Sequence, residues 1–490
     1  MALAQVGLGR TSKTPTLILQ LAVAVLVELA ATVSAGAQTR AVLDSIDHYV
    51  ETELERYHIP GASVAVLRGD SVVLARGYGY ANVELHVPAS DSTVYQSGSV
   101  GKQFTAAAVV MLAEQGHLSL DDTITPYLPE GPEAWRRITI RHLLTHTSGI
   151  GDYTDSTLDV RRDYTEDDMM RLAARQALEF APGDRWNYSN TGYVLLGVII
   201  HRVTGVFYGD FLRDHVFRPA GMRTTRIISE ADIVPNRAAG YRLVNDTLKN
   251  QEWVSPSLNT TADGALYFTT RDLAQWAIAL NHGRIPSRTG LEASWTPVRL
   301  NNGGTYPYGF GWRLTQQRGL RRIGHSGAWQ GFETTIQRYP DFNLTVIVLD
   351  NLAESTPETL AMSIAGMIEP RLMPPHLIEP MSSGPKPPQA IDRLLGDVAS
   401  GAATARVAPG LAAFVSADQR ARIGRELKGA TGWTFVGCDA AEGRGIARLG
   451  TQVARICYAR GSGVGPAPNS LVTVLYGADW RAAGIDFYSF

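Results

Sequence analysis

Residues 96–122 read QSGSVGKQFTAAAVVMLAEQGHLSLDD, and they mark the passage from a strand region to a helix. From Val100 to Gly116 the Ala- and Val-rich run has helical character, closed by Gly116. Upstream, Ala62–Leu67 and Ser71–Ala75 are apolar runs of strand formers separated by Gly69-Asp70, which predicts a hairpin. Ser99-Val100-Gly101-Lys102 therefore stands where the helix begins. A serine there has free N–H groups and the positive end of the helix dipole beside its Oγ, which favours negative charge. Three residues later, one helical turn on, Lys102 projects from the same face. A lysine enclosed by protein loses its proton more easily, whereas an arginine in that place could not act as a base. Only Lys13, Lys102, Lys249, Lys386 and Lys428 are lysines among 45 Lys+Arg residues, so one placed here carries information. Ser383-Gly384-Pro385-Lys386 repeats the spacing, but Pro385 leaves that copy no helix. Without further support, Ser99 would read as an ordinary N-cap with a solvated Lys102 beside it.

Ahead of the hairpin, Val42, Leu43, Ile46, Val50 and Leu54 recur at helical spacing and stop before Pro60-Gly61. Beyond Gly116, helical patterns cover Thr139–Thr145, Glu166–Leu178, Thr191–Val203, Tyr208–Phe217 and Thr270–Asn281. The last has Thr270 as N-cap and Asp272 in its first turn. Strand patterns return at Tyr308–Leu314, Glu333–Tyr339 and Leu344–Leu349, and a helix begins near Pro357. Strands towards both ends with helices between them predict an α+β fold. Its antiparallel sheet is built from both ends, packed by terminal helices and interrupted by a helical insertion. Residues 373–390 contain Pro374, Pro375, Pro380, Pro385, Pro387 and Pro388 and read as a linker. It separates a large domain, 38–372, from a small C-terminal domain, 391–490, of α+β or mostly β character.

The 490 residues carry 45 Lys+Arg against 47 Asp+Glu, a net charge of -2, and are 44% hydrophobic and 19% charged. That balance excludes a disordered chain, a polytopic membrane protein and a nucleic-acid binder held by phosphate contacts. Arg10 and Lys13 precede an apolar run, Leu17–Val33, and Ala35-Gly36-Ala37 offers a small-residue cleavage site. This is the layout of a secretory signal peptide over residues 1–37, with a periplasmic or secreted destination. Glu28 within the run is atypical of a signal, and an uncleaved signal would be the one route to a membrane. The two cysteines, Cys438 and Cys457, could pair in an exported chain or stay apart as buried thiols; their spacing does not decide.

Two tripeptides give Ser99 company. Tyr188-Ser189-Asn190 stands at the entrance of the Thr191–Val203 helix, and His325-Ser326-Gly327 precedes the Glu333–Tyr339 strand. A phenol beside a lysine ammonium ionises more readily and can relay protons to and from a serine Oγ. Asn190 could hold a substrate amide, and Gly327 would let a strand edge come close. The N–H groups of Ser99 and Ala328 could then form an oxyanion hole.

This set of residues resembles the serine β-lactamase, penicillin-binding-protein and esterase superfamily, closest to its class C and DD-peptidase-like branch. The order S-x-x-K, Y-x-N, H/K-x-G is met by Ser99/Lys102, Tyr188/Asn190 and His325/Gly327. The surrounding stretches ITIRHLLTHTSGI, FAPGDRWNYSNTGYVLLGVII and IGHSGAWQGFETTIQRYPD are similar as well, and the resemblance spans about residues 40–370. It implies a β-lactamase/transpeptidase-like domain in which Ser99 is acylated and Lys102 and Tyr188 share the acid–base work. Asn190, His325 and Gly327 would bind substrate, His325 in the far wall of the cleft. Which of Lys102 and Tyr188 deprotonates Ser99 is left open. Many β-lactamases have Lys where this chain has His325, and a histidine with pKa near 6.5 is largely neutral at pH 7. The expected activity is therefore hydrolysis of an amide or ester, in a substrate of D-amino-acid peptide, ester or β-lactam type, with peptidase, amidase or esterase action favoured over strong β-lactamase action. The expected partner is a small-molecule or peptide substrate, such as a cell-wall peptide, with no nucleic acid, no cofactor and no metal.

Other readings are weaker. Gly324-His325-Ser326-Gly327-Ala328 approaches the G-x-S-x-G elbow of α/β-hydrolases, but the only later histidine, His376, lies in the linker. His142 and His146 have i, i+4 zinc spacing without the glutamate of H-E-x-x-H. A non-catalytic binding protein of the same fold, or a true class C-like β-lactamase, would keep the motifs. Trp253, Tyr306, Tyr308, Trp312 and Trp329 could line a cleft, although core packing is the commoner role for such residues.

Overall fold

The computed structural model describes residues 40–154, 158–375, 385–388, 390–402, 404–415, 417–440, 447–448, 451–463 and 469–489. The expected signal, 1–37, lies outside them, as do residues 376–384 and 389 of the expected linker. The chain divides into two units between Tyr49 and Val50; of the first, residues 40–49 are described and are helical, and the second is Val50–Phe490.

Seven strands form the main sheet of the second unit. They are β1 (Gly61–Arg68), β2 (Ser71–Asn82), β3 (Val87–Pro88), β4 (Arg313–Gln317), β5 (Leu320–Trp329), β6 (Phe332–Tyr339) and β7 (Leu344–Asp350). Their order is β4-β5-β6-β7-β1-β2-β3, and every neighbouring pair is antiparallel. The chain thus lays down one edge first and returns at Arg313, 225 positions after Pro88, to complete the sheet, with β7 zipped against β1 from Ala62↔Asp350 to Arg68↔Leu344. Seven of the eight residues of β1 and all seven of β7 are buried. Continuous burial in place of alternation means that both faces of these central strands are covered. The helices α3 (Thr270–Asn281) and α4 (Pro357–Ile368) pack on them.

The helical lobe between β3 and β4 centres on α1 (Lys102–Glu114) and α2 (Asn190–Thr204). All residues of α1 from Lys102 to Val110 are buried. A helix enclosed on every side belongs to the middle of a core, and its alanines let α2 and the loop around Ala262 approach closely. Residues 391–489 carry a separate four-stranded antiparallel sheet, ordered Ala430–Ala440, Arg455–Gly463, Asn469–Tyr476, Ala482–Ser489. Cys438 and Cys457 face each other in register and are joined by a disulfide. Arg318, in the β4–β5 turn, makes a two-pronged ion pair with Asp439 of this sheet at 2.8 and 2.9 Å.

Three local readings differ from the sequence pattern. Thr269, not Thr270, caps α3 by accepting from the Asp272 N–H at 3.1 Å. His325-Ser326-Gly327 does not precede a strand but lies inside β5, which its low β-propensity concealed. Tyr308 sits ahead of β4, and its ring is fully buried.

Candidate active site

Ser99 is presented by a short turn wedged between the two lobes. Tyr95–Gln96 pairs with Leu266–Phe268, and Ser97 fastens the exit of that pair: its hydroxyl donates to Gly264 O at 2.6 Å and accepts from Leu266 N at 3.1 Å. The backbone then reverses at Gly98, φ +47°, makes one 3-10 turn over Gly98–Gly101 and runs into α1. Ser99 is partly exposed, while its neighbours Gly98 and Val100 are buried.

The other side of the turn is the edge of β5. Pairing between β4 and β5 ends at Arg313↔Gly324, so the stretch from His325 to Trp329 is free on that side and the Ser99 turn fits against it. A Cβ on Gly327 would fall 2.6 Å from Ser99 N, and one on Gly98 would fall 2.4 Å from Ala328 N. Only glycine allows that approach, and it brings the Ser99 and Ala328 amides to one spot.

Lys102 is fully buried, and its ammonium position is fixed by three partners. Nζ lies 3.0 Å from Ser99 Oγ, 2.7 Å from Asn190 Oδ1 and 2.7 Å from Asp263 O. Two of these are carbonyl oxygens, which can only accept. They engage two N–H groups whatever the charge on the amine, so the remaining direction, a proton or a lone pair, points at Ser99 Oγ.

Asn190 opens α2 behind its N-cap, Ser189. Its N–H and Nδ2 both donate to Asp152 Oδ2, at 2.9 and 3.1 Å, which turns Oδ1 towards Lys102. Asn190 was expected to hold substrate; here its amide is engaged by Lys102 on one end and Asp152 on the other. Lys102 Nζ lies over the Tyr188 ring, 4.9 Å from its centroid, and the buried Tyr188 Oη has no hydrogen-bond partner among the described residues. Ser99, Lys102, Tyr188 and Asn190 are thus brought together.

His325 departs from its expected place in the cleft wall. It is 1% exposed, its Nδ1 lies 2.7 Å from Ser326 O, and its Nε2 lies 2.9 Å from Tyr308 Oη. A carbonyl only accepts, so Nδ1 carries the proton and Nε2 accepts from the tyrosine. Burial, then the charges of Arg313 and Lys102, hold this imidazole well below the usual histidine range, so it is neutral with both nitrogens used. The zinc reading is also set aside by geometry. His142 Nδ1 accepts from Thr139 N as part of a capping box, while His146 Nδ1 accepts from Ser189 N.

Three participants gave no sequence signal. Asp152 follows ITIRHLLTHTSGI by two residues and reads as loop. Asp263 contributes only a main-chain oxygen to Lys102 and accepts from Tyr153 Oη at 2.9 Å. Arg313 begins β4, is exposed, lies 5.9 Å from the Tyr188 ring centroid and has no ion pair among the described residues. Its twelve-residue distance from His325 is meaningful only once β4 and β5 are known to pair. Beside Ser99, Tyr153, Leu258, Thr261, Ala328 and Trp329 line a small cavity of about 80 Å3.

The β-lactamase family model matches residues 46–365. Penicillin-binding protein 4* of Bacillus subtilis is 34% identical over 324 residues, which is 62% of this chain and 71% of that protein. The solved D-stereospecific amidohydrolase from Streptomyces is 25% identical with a TM-score of 0.55, covering 67% of this chain and 97% of its own. The octameric penicillin-binding protein homologue from Pyrococcus abyssi, 22% identical, shares the fold over 91% of this chain and 98% of its own, with a TM-score of 0.61. A family match across most of the chain, on an antiparallel sheet with its helical lobe, leads to one conclusion: the chain belongs to the β-lactamase family of serine hydrolases.

Proposed function

We propose that this chain hydrolyses the amide or ester bond of a small D-amino-acid-type peptide ending in a free carboxylate, through an acyl-enzyme on Ser99. The observation that carries the reading is the Lys102 amine, dry and pinned by two carbonyl oxygens with its third direction on Ser99 Oγ. Lys102 in its neutral form takes the Ser99 proton as Oγ attacks the carbonyl carbon. The tetrahedral oxyanion receives the Ser99 and Ala328 N–H groups. Tyr188 Oη–H protonates the leaving nitrogen or oxygen, the bond to carbon breaks, and Lys102 returns a proton to Tyr188. Water then attacks the ester, its proton leaves by the same groups, and Ser99 is restored.

Two features support the substrate class. The cavity beside Ser99 is far below the 300–1,000 Å3 or so of sites for larger ligands, which suits a small acyl side chain. Arg313 offers a permanent, exposed cation to a terminal carboxylate. The names of the relatives, a penicillin-binding protein and a D-stereospecific amidohydrolase, agree with this class. The signal-like residues 1–37 and the Cys438–Cys457 disulfide support an exported enzyme.

A labelled penicillin or a fluorophosphonate should add one equivalent of mass at Ser99. A D-Ala-D-Ala peptide and p-nitrophenyl esters should be turned over faster than nitrocefin, and Ser99→Ala should abolish turnover while keeping the fold. An unchanged intact mass after both reagents would favour the non-catalytic binding protein.

A further inference from the structure

We propose that His146 is a positioning residue that clamps the Tyr188 segment onto Lys102, acting as a neutral hydrogen-bond acceptor. The proposal rests on the reading of Tyr188 as the proton carrier. His146 touches all three residues of the segment that carries it. Its main-chain oxygen accepts from Asn187 N at 3.0 Å, its ring lies 4.3 Å from the Tyr188 ring at 36°, and its Nδ1 accepts from Ser189 N at 3.1 Å. Ser189 is also the N-cap of α2, so the same contact fixes the start of the helix that carries Asn190.

The backbone is arranged for this grip. His146 has φ +57°, in the left-handed region, and is 1% exposed. That conformation is unusual for a residue of this size and persists only where its surroundings enforce it. The neighbouring pairs Thr147 O with Gly183 N, at 2.9 Å, and Gly149 O with Glu179 N, at 2.8 Å, lay the Glu179–Ser189 loop along the same turn.

The clamp works in one protonation state. Nδ1 must be bare to accept from Ser189, so the single proton sits on Nε2, which has no hydrogen-bond partner among the described residues. A second proton would set two donors facing each other. The groups around the ring oppose that proton: burial first, then the positive charges of Lys102, His325 if protonated, and Arg313, with the phenols of Tyr188, Tyr193 and Tyr308 as the other titratable neighbours. No carboxylate among the described residues bonds to it. The Tyr188 hydroxyl, with no hydrogen bond among the described residues, is held through its ring and its neighbours, and His146 supplies that hold from both sides.

The test compares two variants that separate ring from acceptor. His146→Phe keeps the aromatic contact and removes the acceptor. His146→Asn places a carbonyl oxygen where Nδ1 stands and tolerates positive φ, but removes the ring. Since about 1 Å of misplacement costs roughly 100-fold in rate, His146→Phe should slow fluorophosphonate labelling of Ser99 and kcat by about 30- to 100-fold with KM within about threefold. His146→Asn should stay within about fivefold of wild type and keep its pH–rate profile. Melting temperatures are measured for both, because a merely structural role predicts that activity follows stability and not the acceptor. If His146→Phe is insoluble, His146→Gln, whose Cγ is a methylene, takes its place. Labelling of His146→Phe within threefold of wild type, or equal loss in both variants, would overturn the proposal. A wild-type protein that does not label would instead overturn the acyl-enzyme reading, a distinct result.

Discussion

Gly327→Ala probes the seam between the two halves of the site. An added Cβ would stand 2.3 Å from Ser97 O, 2.6 Å from Ser99 N and 2.7 Å from Val100 N. All three are main-chain atoms, and the turn that holds them is tied by Thr334 Oγ1 to Ser97 O at 2.7 Å and by Ser97 Oγ to Gly264 O at 2.6 Å. They cannot swing away as a flexible side chain would. Reaching an ordinary contact of 3.4 Å from 2.3 Å requires the strand and the turn to part by about 1 Å. The Ser99 and Ala328 amides lie on opposite sides of that seam, so their separation opens by the same amount. Loss of one oxyanion donor costs about 100- to 1,000-fold in kcat, roughly 3–4 kcal/mol. The unfolded-state advantage of alanine, about 0.4–1 kcal/mol, acts on stability and cannot offset a rate effect of that size. Steady-state hydrolysis of a p-nitrophenyl ester, with circular dichroism as the control for folding, should show kcat reduced at least about 100-fold and KM within about threefold. A folded variant with kcat within threefold of wild type would refute the placement of the oxyanion between these two amides.

Other perturbations address the periphery of the site and the sheet. Asp152→Ala frees both donors of Asn190, at 2.9 and 3.1 Å in the native protein; kcat should fall about 10- to 100-fold by the same ester assay, as a Lys102 partner loses its orientation. Arg313→Gln should lower kcat/KM about 10- to 100-fold on a peptide with a free carboxylate and leave its amide-capped analogue within about threefold, consistent with a charged hydrogen bond of about 1.5–3 kcal/mol. Glu333 faces Asp350 across β6 and β7, and burial first, then the charges of Asp350 and Glu354, push it up to about 9. The native chain therefore keeps a proton that the unfolded chain releases near 4.5, so stability is full below that pH and is lost as pH rises towards 9. Melting temperatures should decline over that interval in wild type and decline less in Glu333→Gln.

What the sequence makes legible is what is local. The Ser99-to-Lys102 spacing is one helical turn, and Tyr188 and Asn190 are placed by the same cap that starts α2. The sheet assembled from both ends follows from the strand pattern, because β1 and β7 are short runs rich in Val, Ile, Leu and Ala that read as buried strands. The rest depends on contacts between distant segments. Lys102 meets Asn190 88 positions away and Asp263 161 positions away, and the second contact uses a main-chain oxygen that any residue could provide. Strand β5 escaped notice because Gly324, His325, Ser326 and Gly327 are poor strand formers whose extended state is imposed by pairing with β6. The one-residue error at the α3 cap, Thr269 for Thr270, arises where two threonines compete and only geometry selects.

The displacement of His325 from the cleft and the exposure of Arg313 belong to one electrostatic arrangement. A cation at His325 would be repelled by the Arg313 guanidinium, and by Lys102 whenever that amine holds the Ser99 proton; His325 avoids this by remaining neutral, with Tyr308 on Nε2 and Ser326 O on Nδ1. The position that carries a permanent charge in many β-lactamases is therefore silent here. The charge appears instead on the adjacent strand, where Arg313 pairs in register with Gly324, next to His325. Solvent reaches Arg313 but not Lys102, so the guanidinium can meet a ligand's carboxylate while the Lys102 amine stays enclosed beside Ser99. In the proposed reaction, carboxylate recognition and proton transfer fall to different side chains, which is why Arg313→Gln should change the choice of substrate while Gly327→Ala should lower the rate on every one.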